Sequence, residues 1–274
     1  MSEMWSSDQV IQAWRSSSGA RAEMMAEATQ LMLQAADLKP GQKVLDIAAG
    51  MGEQSFMAAR LVGSEGSVVA TDISEGMLQI ASTLAQEEGI ANLSTFVMDA
   101  QHLDFPPQTF DAAISRHGLM FIPRLDQALT GIYHVLRDGA AFAALVWSNA
   151  ENNPVLSLPM QILQEVTGLE LPMEETNKVF SLSNPEELSD IFKGAGFKDV
   201  DIRPVRHLQR ISSIKELLLH QKEMASGMMG KGLGSIDDEI RSRLISKIKE
   251  AFEPYEGKRG IEIPGESLLV HGTK

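Results

Sequence analysis

Between Lys43 and Trp147 the chain repeats one pattern: a short apolar run, a turn, a longer polar–apolar stretch, then another apolar run. The apolar runs Lys43–Ala48, Ser67–Thr71, Leu93–Met98, Phe110–Ser115 and Ala141–Trp147 read as five strands. Gln54–Val62, Glu75–Glu88 and Leu125–Leu136 carry apolar residues at helical spacing, and Gly63, Gly89 and Asp138-Gly139 end them. Strands alternating with helices of this length demand right-handed crossovers and a parallel sheet. Val44–Ile47 and Ala141–Trp147 are apolar almost throughout, as strands covered on both faces must be. The pattern predicts an α/β fold with a doubly wound, mostly parallel sheet.

The flanks add helices and two further strands. Residues 1–38 read as a helical lid, with the stripe Met24, Met25, Ala28, Leu31, Met32, Ala35 and a stop at Lys39-Pro40-Gly41. Residues 39–150 form the core unit. In residues 151–274, Phe197–Arg206 and Glu262–Val270 read as strands six and seven, completing a seven-stranded sheet. Pro154–Thr167 and Pro185–Gly194 read as helices, the second with Asn184 as its N-cap. Ile214–Met229 and Ile236–Phe252 read as two more, separated by Gly230–Gly234. Helical cap insertions are therefore expected near 154–182 and 213–255.

The 274 residues carry a formal net charge of −13, and no cluster of Lys and Arg. Nucleic acid is bound by neutralising phosphates with such clusters, so no nucleic-acid partner is expected. No apolar run reaches the roughly 18 residues needed to cross a bilayer, and Met1–Ser18 lacks the features of a secretory signal. There is no cysteine, which excludes disulfides, thiolate zinc sites and thiol nucleophiles. A cytoplasmic protein without a metal site is expected, acting on a small molecule; a homodimer is compatible with all of this.

Three acidic residues mark the ligand edge. Asp46 lies four residues before Gly50 in the turn Ala48-Ala49-Gly50-Met51-Gly52, which joins the first strand to its helix. Glycines let a backbone turn sharply and approach a ligand, and the next helix offers free N–H groups. Alone, the turn also fits a dinucleotide site or a plain strand–helix connection. A carboxylate beside it disfavours a pyrophosphate and suits an ammonium. Asp72 ends the second strand, about 20 residues past the glycines, where an acid hydrogen-bonds ribose hydroxyls. Met77 lies one helical turn on, where it packs against adenine or into the core. Asp99 ends the third strand, placed for an adenine amino group or a loop cap. Open α/β sheets bind ligands at this edge.

The stretches Val44–Glu53, Val68–Ser74, Met98–Phe121 and Val135–Trp147, in that order, resemble the class I S-adenosylmethionine-dependent methyltransferases of the UbiE/COQ5-like type, also called methyltransferase type 11. The resemblance covers about Lys39 to Trp147. It implies the Rossmann-like methyltransferase fold and S-adenosylmethionine as cofactor, with S-adenosylhomocysteine as product. It also implies that Asp46, Ala49, Gly50 and Gly52 line the methionine end. Asp72, Ile73 and Met77 hold ribose and adenine, Asp99 and Ala100 the adenine edge. Ser115, Arg116 and His117 then face the sulfonium and the substrate. One departure is Asp138-Gly139-Ala140, where the family's last motif carries a proline and two glycines.

Methyl transfer from a sulfonium needs alignment and exclusion of water more than acid–base chemistry. His117 is the candidate general base where a proton must leave, or else a hydrogen-bonded loop residue. Arg116 binds an acidic substrate group or pairs with a neighbouring carboxylate. Trp147 is the candidate aromatic wall for substrate; Trp14 and Trp5 close over the site or pack under their helix. His134 reads as structural, and His102 as exposed near the pocket mouth. The alternative is a protein of the same fold that binds the sulfonium for non-methyl chemistry, such as cyclisation or decarboxylation. A nicotinamide oxidoreductase lacks support in a third loop glycine or a Tyr–Lys pair.

Overall fold

The computed structural model describes Ile11 and residues 18–168, 178–211, 213, 216–217, 238–257 and 260–274. Helix α1 (Ser18–Ala35) precedes β1 (Lys43–Ile47), α2 (Glu53–Val62), β2 (Ser67–Asp72), α3 (Glu75–Glu87) and β3 (Leu93–Val97). Next come β4 (Phe110–Arg116), α4 (Leu125–Val135), β5 (Leu136–Trp147), α5 (Pro154–Thr167) and α6 (Pro185–Gly194). The chain continues through β6 (Lys198–Ile211), α7 (Asp238–Phe252), the two-residue β7 (Glu256–Gly257) and β8 (Gly260–Thr273). No helix among the described residues is long and apolar enough to cross a membrane.

The main sheet runs β3-β2-β1-β4-β5-β8-β6, with β7 attached only to β8. β1 is central, paired parallel to β2 and β4; β8 is antiparallel to both of its neighbours, β5 and β6. This is the doubly wound, mostly parallel sheet of seven strands that the alternation predicts. Successive strand residues face opposite sides, and each side has its own core. Leu45, Ile47, Ala113, Phe142 and Ala144 pack with Leu129 and Ile132 of α4 and Leu188 and Phe192 of α6. Val44, Ala112, Ile114, Ala143 and Leu145 pack on the other side with Met25 and Met32 of α1 and Ala58, Ala59 and Val62 of α2. Each large apolar side chain so buried contributes about 1.5–3 kcal/mol. That two-sided burial is why the central strands are apolar without alternation.

Boundaries differ from the sequence reading in two informative places. β5 begins at Leu136, directly after α4, and the register with β4 jumps between Phe110 and Ala112. Asp138-Gly139 therefore sits in a bulge within the strand, with Gly139 at φ +79°. β6 continues to Ile211 because β8 starts early enough to pair Ile261 with it. The resulting ribbon extends past the strand-end edge. There Ile211, Ile261 and Ile263 pack with Val155 of α5 and Phe252 of α7, and α5 and α7 pack on each other. Asn184 caps α6 as expected, its Oδ1 accepting from Glu186 N at 3.0 Å.

Asn153 fixes where this second cluster departs from the sheet. Its buried side chain donates through Nδ2 to the carbonyls of Asn149 and Glu266, each at 3.0 Å, and to Ser148 Oγ at 3.2 Å. Its Oδ1 accepts from Glu266 N at 3.0 Å. The loop after β5 is thereby tied to β8 before α5 begins. Asn153→Ala leaves the Glu266 N–H buried without its partner, at a cost of about 1–3 kcal/mol. The expected outcome is a thermal midpoint several degrees lower by circular dichroism; an unchanged midpoint would contradict the role.

Candidate functional site

Three backbone positions coil the loop after β1. Ala48 (φ +55°), Gly50 (φ +58°) and Gly52 (φ +83°) are all left-handed, a region costly for a residue with a Cβ. At Gly52 an added Cβ would stand 2.8 Å from Phe56 Cε1 and 3.1 Å from Ala81 Cβ, so α2 and α3 close on it. Above Gly50 the space is open, with only Met77 Sδ at 3.9 Å. Gly50 thus forms a bare backbone floor beneath Met77.

Neighbouring strands hold that loop. Ala49 N donates to Thr71 O at 2.9 Å, and Gly50 N to Asp72 Oδ2 at 2.8 Å. The other Asp72 oxygen accepts from Ser74 N at 2.9 Å, and the Ile73 N–H also supports this carboxylate. Burial raises the Asp72 pKa, and those three N–H groups work against the rise. A carboxylate has about four acceptor sites, so Asp72 keeps acceptor capacity beyond these three donors. From the β4 side Ser115 Oγ donates to Ile47 O at 2.9 Å. Ser115 is fully buried, and this bond commits its hydroxyl to the sheet.

Asp46 lies under the loop. Ser55 Oγ donates to its Oδ2, and Gln54 Nε2 to Oδ1 at 3.2 Å, so the first turn of α2 meets both oxygens. Complete burial pushes its pKa up to about 7, against the pull of Ser55, Gln54 and the Arg116 charge. Arg116 is the inner neighbour: it pairs with Glu53, the first residue of α2, and donates through Nη1 to Thr29 Oγ1 of α1 at 3.0 Å. With 7% of its side chain exposed, Arg116 makes the carboxylate pair that is one of its two expected roles.

The residues expected at the adenine side follow β2 and β3. Met77 is buried with Met51 and with Ile11 of the N-terminal segment. Ile11 approaches so closely that a Cβ on Gly76 would stand 2.5 Å from its Cδ1. Ile73 is exposed. Asp99 Oδ1 accepts from Gln101 N at 2.9 Å, and Ala100 packs against the core edge. His102 is exposed, its Nδ1 3.8 Å from Asp99; His134 ends α4, exposed.

Beyond Ser115 the chain turns over the end of β1. His117 is left-handed (φ +54°), and Gly118 has no room for a Cβ against Ala48. The His117 ring stacks on Trp147 at 3.9 Å between centroids and 4° between planes. Its Nε2 lies 2.9 Å from Ser267 Oγ, the donor being set by the tautomer. His117 and Trp147 are thus brought together as one aromatic surface. Trp14 and Trp5 lie outside the described residues. Sequence reasoning passed over Glu53, Ile11, Ser267 and His207. Glu53 stands in the quoted motif; the others reach the site through sheet register or a distant segment, which local pattern does not carry.

The residues are compatible with an adenosyl sulfonium: an open glycine floor, the Asp72 carboxylate at the end of β2, and Met77 and Asp99 following β2 and β3. A methyltransferase-domain family matches residues 44–139. The ubiquinone/menaquinone biosynthesis C-methyltransferase UbiE of Haemophilus ducreyi is 31% identical over 174 residues, 60% of this chain and 67% of that protein. Other UbiE proteins are matched over about half their length. The aklanonic acid methyltransferase DauC of a Streptomyces species is 39% identical over 38% of this chain and 47% of its own. Among solved structures, the YcgJ protein of Bacillus subtilis has the same fold: TM-score 0.60, 18% identity, 91% of this chain and 98% of that one.

Asp46 yields a pH test. Unfolded, the carboxyl ionises near 3.8; folded, it holds its proton to about 7. Between these values the folded state binds more protons, so this group's contribution to stability falls as pH rises. Asp46→Asn removes the effect. Urea unfolding at pH 5 and pH 8 should show wild type losing up to about 3 kcal/mol relative to the variant. A constant difference at the two pH values would contradict the assignment.

Proposed function

The chain belongs to the class I S-adenosylmethionine-dependent methyltransferases of the UbiE-like type, and on that premise we propose that it methylates a small, flat, lipophilic or aromatic acceptor. One observation carries the reading: the Asp72 carboxylate joins the glycine loop to the end of β2, through Gly50 N and Ser74 N, at the edge where open sheets bind ligands. In this reading the remaining Asp72 lone pairs accept the ribose hydroxyls, and Ile73 flanks them. Met77 covers adenine, and Asp99 with Ala100 meets its edge. Ala49, Gly50 and Gly52 carry the methionine end, and Asp46 and Ser115 support that loop from beneath.

When bound, the cofactor supplies a methyl group already activated on a sulfonium. The protein's work is to align the acceptor and exclude water. The stacked pair Trp147 and His117 is the wall against which a planar acceptor lies. Where that acceptor must lose a proton, His117 is the group placed at the loop to take it. Ile11 over Gly76 and Met77 supports a lid role for residues 1–38. The cluster of α5 and α7 on the β6–β8 ribbon supports a cap role for the later insertions. The relatives' names agree with this acceptor class: quinone biosynthesis for one and aklanonic acid for the other. The net charge of −13 and the absence of a basic cluster support a metabolite rather than a nucleic-acid substrate, in a cytoplasmic protein. A homodimer is compatible with this reading.

The test is a thermal-shift comparison of S-adenosylhomocysteine with NAD, followed by incubation with S-adenosylmethionine and hydroxylated aromatic acceptors. Stabilisation by S-adenosylhomocysteine and acceptor-dependent release of it are expected. Asp72→Ala should weaken S-adenosylhomocysteine about 50-fold or more, since ribose contacts and loop anchoring go together. Stabilisation by NAD alone would overturn the reading. Stoichiometric cofactor binding with no acceptor turned over would favour non-methyl chemistry.

A further inference from the structure

His207 is a half-buried imidazole to which the site described above gives no task. It lies on β6 opposite Gly265 of β8. Register puts Trp147 beside Ser267 and Ser267 beside Val205, so His207, two residues on from Val205, shares the face of Trp147. Its ring meets the Trp147 ring edge-on, 5.7 Å between centroids at 78°. The ring lies so close over Gly265 that no Cβ fits there. Both ring nitrogens are buried, and neither has a hydrogen-bond partner among the described residues.

A buried polar group without a partner is costly, and native proteins keep few of them without a reason. Burial lowers the pKa of this ring, opposed by the Glu266 charge nearby. The neutral ring has one N–H that donates and one bare nitrogen that accepts. A hydroxyl group complements such a ring, because it donates and accepts at once. The location narrows the occupant further. His117, Trp147 and His207 form a continuous run of rings, from the end of β4 across β5 to β6. Past His207 the same face carries Gln209, paired with Ile263, and then Ile211, paired with Ile261; the three isoleucines pack with Val155 of α5 and Phe252 of α7. The imidazole therefore lies between the aromatic wall and the apolar cluster of α5 and α7, with Gln209 next to it on that face.

We propose that His207 is a specificity-determining residue that hydrogen-bonds a hydroxyl or enol oxygen of an aromatic acceptor lying against Trp147. The inference rests on the methyltransferase reading and deepens it. Gly265 is part of the same device, since the ring keeps its position only over a residue without a side chain. His207 acts here through orientation; its substitution alters which acceptor binds and leaves cofactor affinity as it is.

The test uses the full chain saturated with S-adenosylhomocysteine, with 1-naphthol and naphthalene as probes differing by one hydroxyl. Binding is followed by tryptophan fluorescence and calorimetry. Wild type should prefer 1-naphthol by about tenfold or more. His207→Phe keeps the ring and removes both nitrogens, and should bring the two probes within about threefold. His207→Gln, which retains a donor and an acceptor, should restore part of the preference. Gly265→Ala should reduce it by displacing the ring. S-adenosylhomocysteine affinity should be unchanged in His207→Phe, a readout that a merely structural role would not separate. An undiminished preference in His207→Phe overturns the proposal, and so does a wild type that does not distinguish the probes. Failure of wild type to bind S-adenosylhomocysteine would instead remove the methyltransferase reading beneath it.

Discussion

Asp72 is held where a carboxylate is expensive to keep, and the candidate site is organised around it. Burial raises its pKa, and three backbone N–H groups, from Gly50, Ile73 and Ser74, counter that rise. The same bonds fix the loop after β1 against the end of β2. A loop with three left-handed positions within Ala48–Gly52 has few ways to stay in one conformation. Ties from both sides keep it there: Asp72 and Thr71 from β2, Ser115 from β4. The acid that would grip the ribose is thus also the acid that builds the glycine floor. Cofactor affinity and loop order are, on this account, one property.

The parallel sheet explains why these groups meet. Both faces of β1, β4 and β5 are filled by apolar side chains from α1, α2, α4 and α6, so polar residues on them gather at strand ends. Asp46 is the exception, fully buried and kept by Ser55, Gln54 and the nearby Arg116–Glu53 pair. That inner network joins β1, β4, α1 and α2 beneath the loop. It gives Arg116 a task within the fold, apart from the ring system of His117, Trp147 and His207.

Much of this was legible in the sequence. The alternation from Lys43 to Trp147 gave the fold class because apolar periodicity is a local signal, and the acids at the ends of β1, β2 and β3 follow from the same register along the chain. Arg116 illustrates the limit: its residue type allowed substrate binding or ion pairing, and only the packing of α1 and α2 around it reveals the pair with Glu53. His207 illustrates a deeper one. Its meeting with Trp147 depends on β8 running antiparallel between β5 and β6, with more than a hundred residues between β5 and β8. No local pattern encodes a pairing of that range. The extension of β6 to Ile211 was missed for the same reason, since its partner Ile261 lies beyond the insertion.

In the proposed reading the strand-end edge has a polar, tightly tied cofactor end at Gly50 and Asp72 and an aromatic acceptor end at Trp147. The most direct test of the central claim is a crystal structure of the protein with S-adenosylhomocysteine. The account predicts both ribose hydroxyls within hydrogen-bond distance of Asp72, the amino-acid portion over Gly50, and the sulfur directed toward His117 and Trp147. A ligand seated elsewhere, or a ribose that makes no contact with Asp72, would contradict it.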